Sequence, residues 1–338
     1  MSMIIRKIIA VFLGSILLMF PLKNCFEVFG SEFSIHSACS SIPGMSEIDT
    51  SQGYKDVIKH EDGFIAVGTN GRIDLISKSG EIQKLQDFPE VGLNCVLTNN
   101  NQIIVAGDHG KMLISYDHRE FVKTDCGTTN TINSLTLFNN MVIAGANGGE
   151  ILIGIDKTKF KSIQLNLKGD VVSVSANASF CYGVTNAGEI IHTTDGINWN
   201  IFDFNQEYKG YYQPCYFTSI LVTEQVIAVA GIKDNGLPVF MISNMGKVWS
   251  ERVLTYNDGQ GMQNYLTDSP NDIFYDTLYQ QFYLVCDNGK LMTLPNCSHC
   301  NKLEDISAYN LSGISGNSET LMIVGDRYYI RPISQGWI

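Results

Sequence analysis

The sequence predicts an all-β fold, a seven-bladed β-propeller of four-stranded antiparallel blades, and three observations carry that prediction. One strand-turn-strand segment recurs about every 40 residues, its turns hold the residues that tight hairpins demand, and no stretch keeps a helical period.

The recurring segments read AVGTNGRIDLIS, VAGDHGKMLIS, IAGANGGEILIG, YGVTNAGEIIHT, VAGIKDNGLPVFMIS, LVCDNGKLMTL and IVGDRYYIRPI. Each joins two apolar strands through a short polar turn. With Gly68, Gly107, Gly145, Gly183, Gly231, Cys286 and Gly325 as the anchor position, the spacings are 39, 38, 38, 48, 55 and 39 residues. A blade of four short strands has that length. Asn70-Gly71, Asn147-Gly148, Asn235-Gly236 and Asn288-Gly289 offer the positive φ angles of tight hairpins. Val, Ile, Leu and Tyr around them favour strands.

A second turn follows seven or eight residues later in the repeat. In blade 4 it reads Thr193-Thr194-Asp195-Gly196-Ile197-Asn198-Trp199, which resembles the Asp-box of bacterial-neuraminidase-type repeats. The same register gives Ser115-Tyr116-Asp117 through Phe121, Gly154-Ile155-Asp156 through Phe160, and Ser243-Asn244-Met245-Gly246 through Trp249. Blade 1 has Ser77-Lys78-Ser79-Gly80, and blade 6 has Pro295-Asn296-Cys297 in its place. The resemblance implies a structural role for Thr193, Asp195, Gly196, Trp199, Ser115, Asp117, Ser243 and Trp249. Their polar side chains would bond the turn's own backbone while the aromatic residue packs between blades. The chain is also similar to sialidases in fold, and to the photosystem II assembly-factor type of propeller, whose members bind protein partners.

Arg6 and Lys7 precede an apolar run from Ile8 to Phe20 that Pro21 closes, the order of a signal peptide. Residues 1–30 are read as that signal, with cleavage after Gly30, and residues 31–338 as one propeller domain. The run is shorter than the roughly 20 residues that span a bilayer, so membrane attachment enters only through an uncleaved anchor. The expected location is outside the cytoplasm: secreted, periplasmic or at the cell surface. The last repeat has room for only part of a blade after Ile330-Arg331-Pro332-Ile333. Glu32-Phe33-Ser34-Ile35-His36 alternates apolar and polar residues as an outer strand should, and is expected to close the ring by covering that open edge.

A net charge of -11 argues against nucleic acid, whose phosphates require clustered Lys and Arg. Cys25 leaves with the signal, and Cys95, Cys181 and Cys286 sit in apolar runs as small core residues. Cys297-Ser298-His299-Cys300 pairs most simply as a local disulfide between Cys297 and Cys300, because a structural zinc would need a second ligand pair. No metal and no cofactor is expected, and the chain is read as a monomer.

The two long spacings place insertions in successive blades. Residues 205–215 contain Tyr208, Tyr211 and Tyr212; residues 256–268 contain Tyr256, Asn257, Asp258, Gln260 and Tyr265. Both are expected on the face of the blade-to-blade loops, where tyrosine and amide side chains suit a peptide or a sugar. The same tyrosines would equally pack their own loops over the core. The favoured function is an exported, non-catalytic propeller that binds a protein or glycan through these loops. The alternative is a glycoside hydrolase with a carboxylate pair drawn from Asp258, Asp268 and Asp272. Sialidase chemistry itself lacks support, because Arg72, Arg119, Arg252, Arg327 and Arg331 do not reproduce that family's arginine pattern.

Overall fold

The computed structural model describes residues 52–334, apart from 62, 100, 101, 157, 158, 245 and 297–300. Seven antiparallel meanders follow one another along the chain, at residues 54–86, 93–124, 132–164, 171–203, 215–251, 270–305 and 311–334. Six are four-stranded and the seventh has three strands among the described residues. The α-helix among these residues is a single turn, α1 (Phe204–Glu207). The all-β, seven-bladed expectation is met. The outer strand expected at residues 32–36, the proposed signal and the Cys297–Cys300 pair lie outside the described residues.

The first strand of each blade lies beside the first strands of its neighbours, and the seven form a closed inner ring. In every blade a bulge breaks the register between strands one and two, so one residue of the first strand has no partner opposite it. Those residues are Lys55, Asn94, Asn133, Val172, Thr218, Asn271 and Ser312 in turn. Freed from the ladder, five of them reach forward and donate to the carbonyl that opens the next blade. Asn94 Nδ2 bonds Ile132 O at 3.2 Å and Asn133 Nδ2 bonds Val171 O at 2.9 Å. Thr218 Oγ1 bonds Pro270 O at 2.6 Å and Asn271 Nδ2 bonds Leu311 O at 2.8 Å. The last stitch joins blade 7 to blade 1, from Ser312 Oγ to Tyr54 O at 2.7 Å. Each is a part-buried bond worth about 1 kcal/mol net, and its greater value lies in fixing the angle between blades.

This pairing refines the repeat. The residue opposite the one just before each bulge is Gly68, Gly107, Ala146, Thr185, Gly231, Cys286 and Gly325. The true spacings are therefore 39, 39, 39, 46, 55 and 39. Gly145 and Gly183, used as anchors from sequence, sit one and two positions too early. The reason is steric. At Gly107 a Cβ would stand 2.0 Å from Gly92 O, which forces glycine, whereas blades 3 and 4 leave room for Ala146 and Thr185.

Between blades, apolar side chains of strands one, two and three pack across the boundary. Ile104, Met112 and Ile114 of blade 2 meet Leu135, Ala144 and Leu152 of blade 3 in one buried cluster. Cys95, Cys126, Cys181, Cys215 and Cys286 are free thiols buried in such clusters.

The turns between strands three and four are held by their own side chains. Asp195 Oδ1 accepts from Ile197 N and Asn198 N, both at 2.8 Å, and Thr193 Oγ1 accepts from Gly196 N at 2.9 Å. Those bonds hold the Asp195 carboxyl far below its ordinary range, the Asn198 N–H being the largest cause. Asp117 takes the N–H groups of Arg119 and Glu120 in the same way, and Ser115 Oγ donates to it at 3.1 Å. In blade 5, Ser243 Oγ accepts from Gly246 N. Trp249 is buried between blades 4 and 5, and Trp199 is half-buried against the cluster of blades 3 and 4.

Candidate functional site

The first insertion leaves blade 4 through α1. Asp203 caps it by accepting from Gln206 N at 3.1 Å, and Phe204 turns fully inward. Tyr208 and Tyr212 then pack on Phe204, with ring centroids 4.8 and 5.8 Å away. Asn205 clamps the loop's base, donating to Ala187 O and Cys215 O and accepting from Cys215 N at 2.7 Å. Tyr208 Oη accepts from Trp249 N at 3.2 Å, which ties the insertion to the last turn of blade 5. Tyr211 is left 85% exposed.

The second insertion is a hairpin pairing Thr255–Asn257 with Gln263–Tyr265. It follows the short outer strand of blade 5, Ser250–Glu251. Leu254 and Leu266 bury its base among Phe282, Leu284 and Met292, and Tyr256 packs beside them. Arg252 donates to Pro295 O and Asn301 Oδ1, and Asn301 donates to Thr255 O, which ties the hairpin to blade 6. Asp258 forms the tip, accepting from Gln260 N and Met262 N at 2.9 Å each. These bonds, the one from Met262 foremost, hold its carboxyl below the ordinary range. Met262 and Tyr265 are 62% and 65% exposed, and Asn257 and Gln260 also face solvent.

The eight candidate residues thus divide by task. Tyr208 and Tyr212 serve the boundary of blades 4 and 5, and Tyr256 serves that of blades 5 and 6. Both insertions lie in blade-to-blade connections, and the contacts of Tyr208 with Trp249 N and of Arg252 with Pro295 O also tie them to turns between strands three and four. Tyr211, Asn257, Gln260 and Tyr265 remain presented outward.

The three carboxylates named as catalytic candidates occupy three different settings. Asp258 shapes the hairpin tip, and Asp268 Oδ1 accepts from Asn288 Nδ2 beside the turn between strands two and three of blade 6. Asp272 belongs to the inner ring. The residues after the bulges are Asp56, Cys95, Ser134, Ser173, Ser219, Asp272 and Gly313; of these Cys95 packs into the cluster between blades 2 and 3, and Gly313 carries no side chain. Several accept an N–H from the next blade. Asp56 takes Val96 N at 2.9 Å, Ser134 takes Val174 N at 3.1 Å, Ser173 takes Ile220 N at 3.1 Å and Asp272 takes Ile314 N at 3.0 Å. Burial pushes Asp56 up to about 7 and Asp272 up to about 6, against the pull of those N–H bonds; Asp272 adds to the rise at Asp56. Sequence reading missed this ring. Its signal was a polar pair near the start of several first strands, as in Asn133-Ser134, Thr218-Ser219 and Asn271-Asp272.

No family model matches the chain, and no curated protein matches it in sequence. Solved structures do match in fold. YCF48 bound to D1 peptide aligns at TM-score 0.65 and 13% identity over 85% of this chain and 93% of that one. YCF48 from Cyanidioschyzon merolae gives 0.63 and 13% over 86% and 98%. The WD40 β-propeller domain of Doa1 gives 0.65 and 11% over 85% and 94%. At these identities the likeness is one of architecture, and this chain is a seven-bladed β-propeller similar in fold to YCF48 and to WD40 propellers.

Proposed function

We propose that this chain is an exported, non-catalytic propeller that binds a protein partner through the outer rim of blades 4 to 6. The observation carrying the reading is the contrast inside the two insertions, where tightly packed bases hold Tyr211, Met262 and Tyr265 out in solvent. Rigid presentation of exposed aromatic and thioether groups lowers the ordering cost of binding, and such groups dominate interface energetics. The neighbouring fold of YCF48, solved with D1 peptide, supports a protein ligand for this architecture. The basic-then-apolar order of Arg6, Lys7 and Ile8 to Phe20 supports export. The bonding within the turn at residues 193–199 supports kinship with Asp-box repeats.

The test is crosslinking and affinity capture from the native source with wild type and a Tyr211→Ala/Tyr265→Ala variant, alongside a glycan array. The expected result is one dominant protein partner, captured at least 10-fold less by the variant, a loss of about 1.4 kcal/mol. Equal capture by both proteins removes the rim from consideration. Glycan binding that the variant loses transfers the site to a sugar.

A further inference from the structure

His60 ends the first strand of blade 1, Glu61 occupies the turn that follows, and His118 lies in the turn between strands three and four of blade 2. First and third strands run in the same direction, so these two turns meet on one face of the propeller. His60 Nε2 and His118 Nδ1 are 3.2 Å apart, His118 Nδ1 and Glu61 Oε1 are 3.4 Å apart, and His60 Nε2 and Glu61 Oε1 are 3.9 Å apart. Ligand bonds of roughly 2.0 to 2.2 Å in a tetrahedron put donor atoms about 3.4 Å from one another. The three donors therefore already stand near the corners of one face of such a tetrahedron.

We propose that His60, Glu61 and His118 form a binding site for a zinc-class divalent metal ion, with a fourth position open to water.

Two further features point the same way. Both Glu61 and His118 have left-handed backbones, with φ of 46° and 62°. His118 takes the place where the equivalent turn of blade 4 has Gly196, at φ 76°. Glycine is the natural occupant of that conformation, and non-glycine residues held there gather at functional sites. The two imidazoles also meet edge to face at 4.6 Å.

The donor set selects among metals. Two imidazole nitrogens with one carboxylate suit zinc and other late first-row ions, whereas calcium and magnesium take oxygen donors. Glu61 is 70% exposed and leaves the fourth side accessible. A cavity of about 420 Å³ adjoins the site, walled by Ile65, Leu75 and Leu85. Two histidines and a glutamate leave a position for solvent, the pattern of an open rather than a closed zinc site.

The experiment uses the full chain, stripped with chelator and titrated with cobalt(II), then with zinc in competition. Wild type is expected to take one cobalt per chain at micromolar concentration, with visible bands of low-coordinate nitrogen and oxygen ligation. Zinc should displace it. His118→Gly, which installs the residue its backbone prefers, should fold at least as well and bind at least about 100-fold more weakly, no less than the loss of an outer-sphere partner costs. His60→Gln should behave likewise. The proposal is overturned by absence of stoichiometric binding, by bands that survive in both variants, or by thiolate charge-transfer absorption marking cysteine ligation instead.

Discussion

The inner ring performs one task in two chemistries. Along blades 3 to 5 the residues after the bulge are Ser134, Ser173 and Ser219; around blades 6, 7 and 1 they are Asp272, Gly313 and Asp56. Ser134 and Asp56 accept the same N–H from the blade that follows, at 3.1 and 2.9 Å. A hydroxyl does this as a neutral group. A carboxylate does it while facing a second carboxylate across Gly313, and desolvation penalises its charge. Similar backbone geometry therefore gives one arc of neutral groups and one whose stability follows pH, and the two meet where Ser219 Oγ donates to Asp272 Oδ1 at 3.1 Å.

The sign follows from the direction of the shift. A carboxyl raised above its ordinary range binds its proton more tightly in the folded chain than in the unfolded one. Its stabilising contribution is complete below about pH 4, drains as the pH rises toward 6 for Asp272 and 7 for Asp56, and is gone above that. Raising Asp56 to about 7 corresponds to roughly 4 kcal/mol as an upper limit, and solvent reaching the axis reduces it.

The largest effect is expected from converting the acidic arc to a neutral one. Asp56→Asn/Asp272→Asn should gain about 2 kcal/mol at pH 8 and nothing at pH 4.5, because an amide oxygen still accepts the N–H while the buried charge is gone. Urea denaturation at the two pH values measures this, and parallel stability curves for variant and wild type would remove the carboxylates as its cause. Next in size is Ser173→Ala in the neutral arc. It leaves Ile220 N without its acceptor and should cost about 1 to 2 kcal/mol, equally at pH 5 and pH 8. A cost confined to one pH would show that the two arcs are coupled. The smallest change is Cys95→Ser, which places the ring hydroxyl in blade 2, where the thiol now bonds Ala106 O. Lost apolar burial and a gained acceptor should nearly cancel, leaving less than about 1 kcal/mol by the same denaturation assay. A loss beyond about 3 kcal/mol would show that the cluster between blades 2 and 3 does not accept a hydroxyl at this position.

Much of the scaffold was legible because local chemistry fixes it. Asn70 and Asn288 adopt φ of 57° and 52° in the hairpin turns that their Asn-Gly pairs announced. Phe204 and Cys215, by contrast, bury one insertion through contacts that no spacing reveals. Tyr208 and Tyr211 are three residues apart and looked alike in sequence, yet one is packed on Phe204 and the other stands in solvent. The donors of the candidate metal site were invisible for a related reason. His60 and His118 are 58 positions apart, and their motifs share no metal-ligand spacing.

The amino-acid sequence alone determined the strands, their hairpin turns and the number of blades, because alternation, turn residues and repeat length act over a few neighbours. Tertiary structure decided which bulged residue stitches each blade to the next, which ring positions turn a buried charge toward the axis, and which side chains from blades 1 and 2 meet. Those outcomes depend on the angle between blades. Packing of strands about 40 residues apart sets that angle, and no local segment contains it.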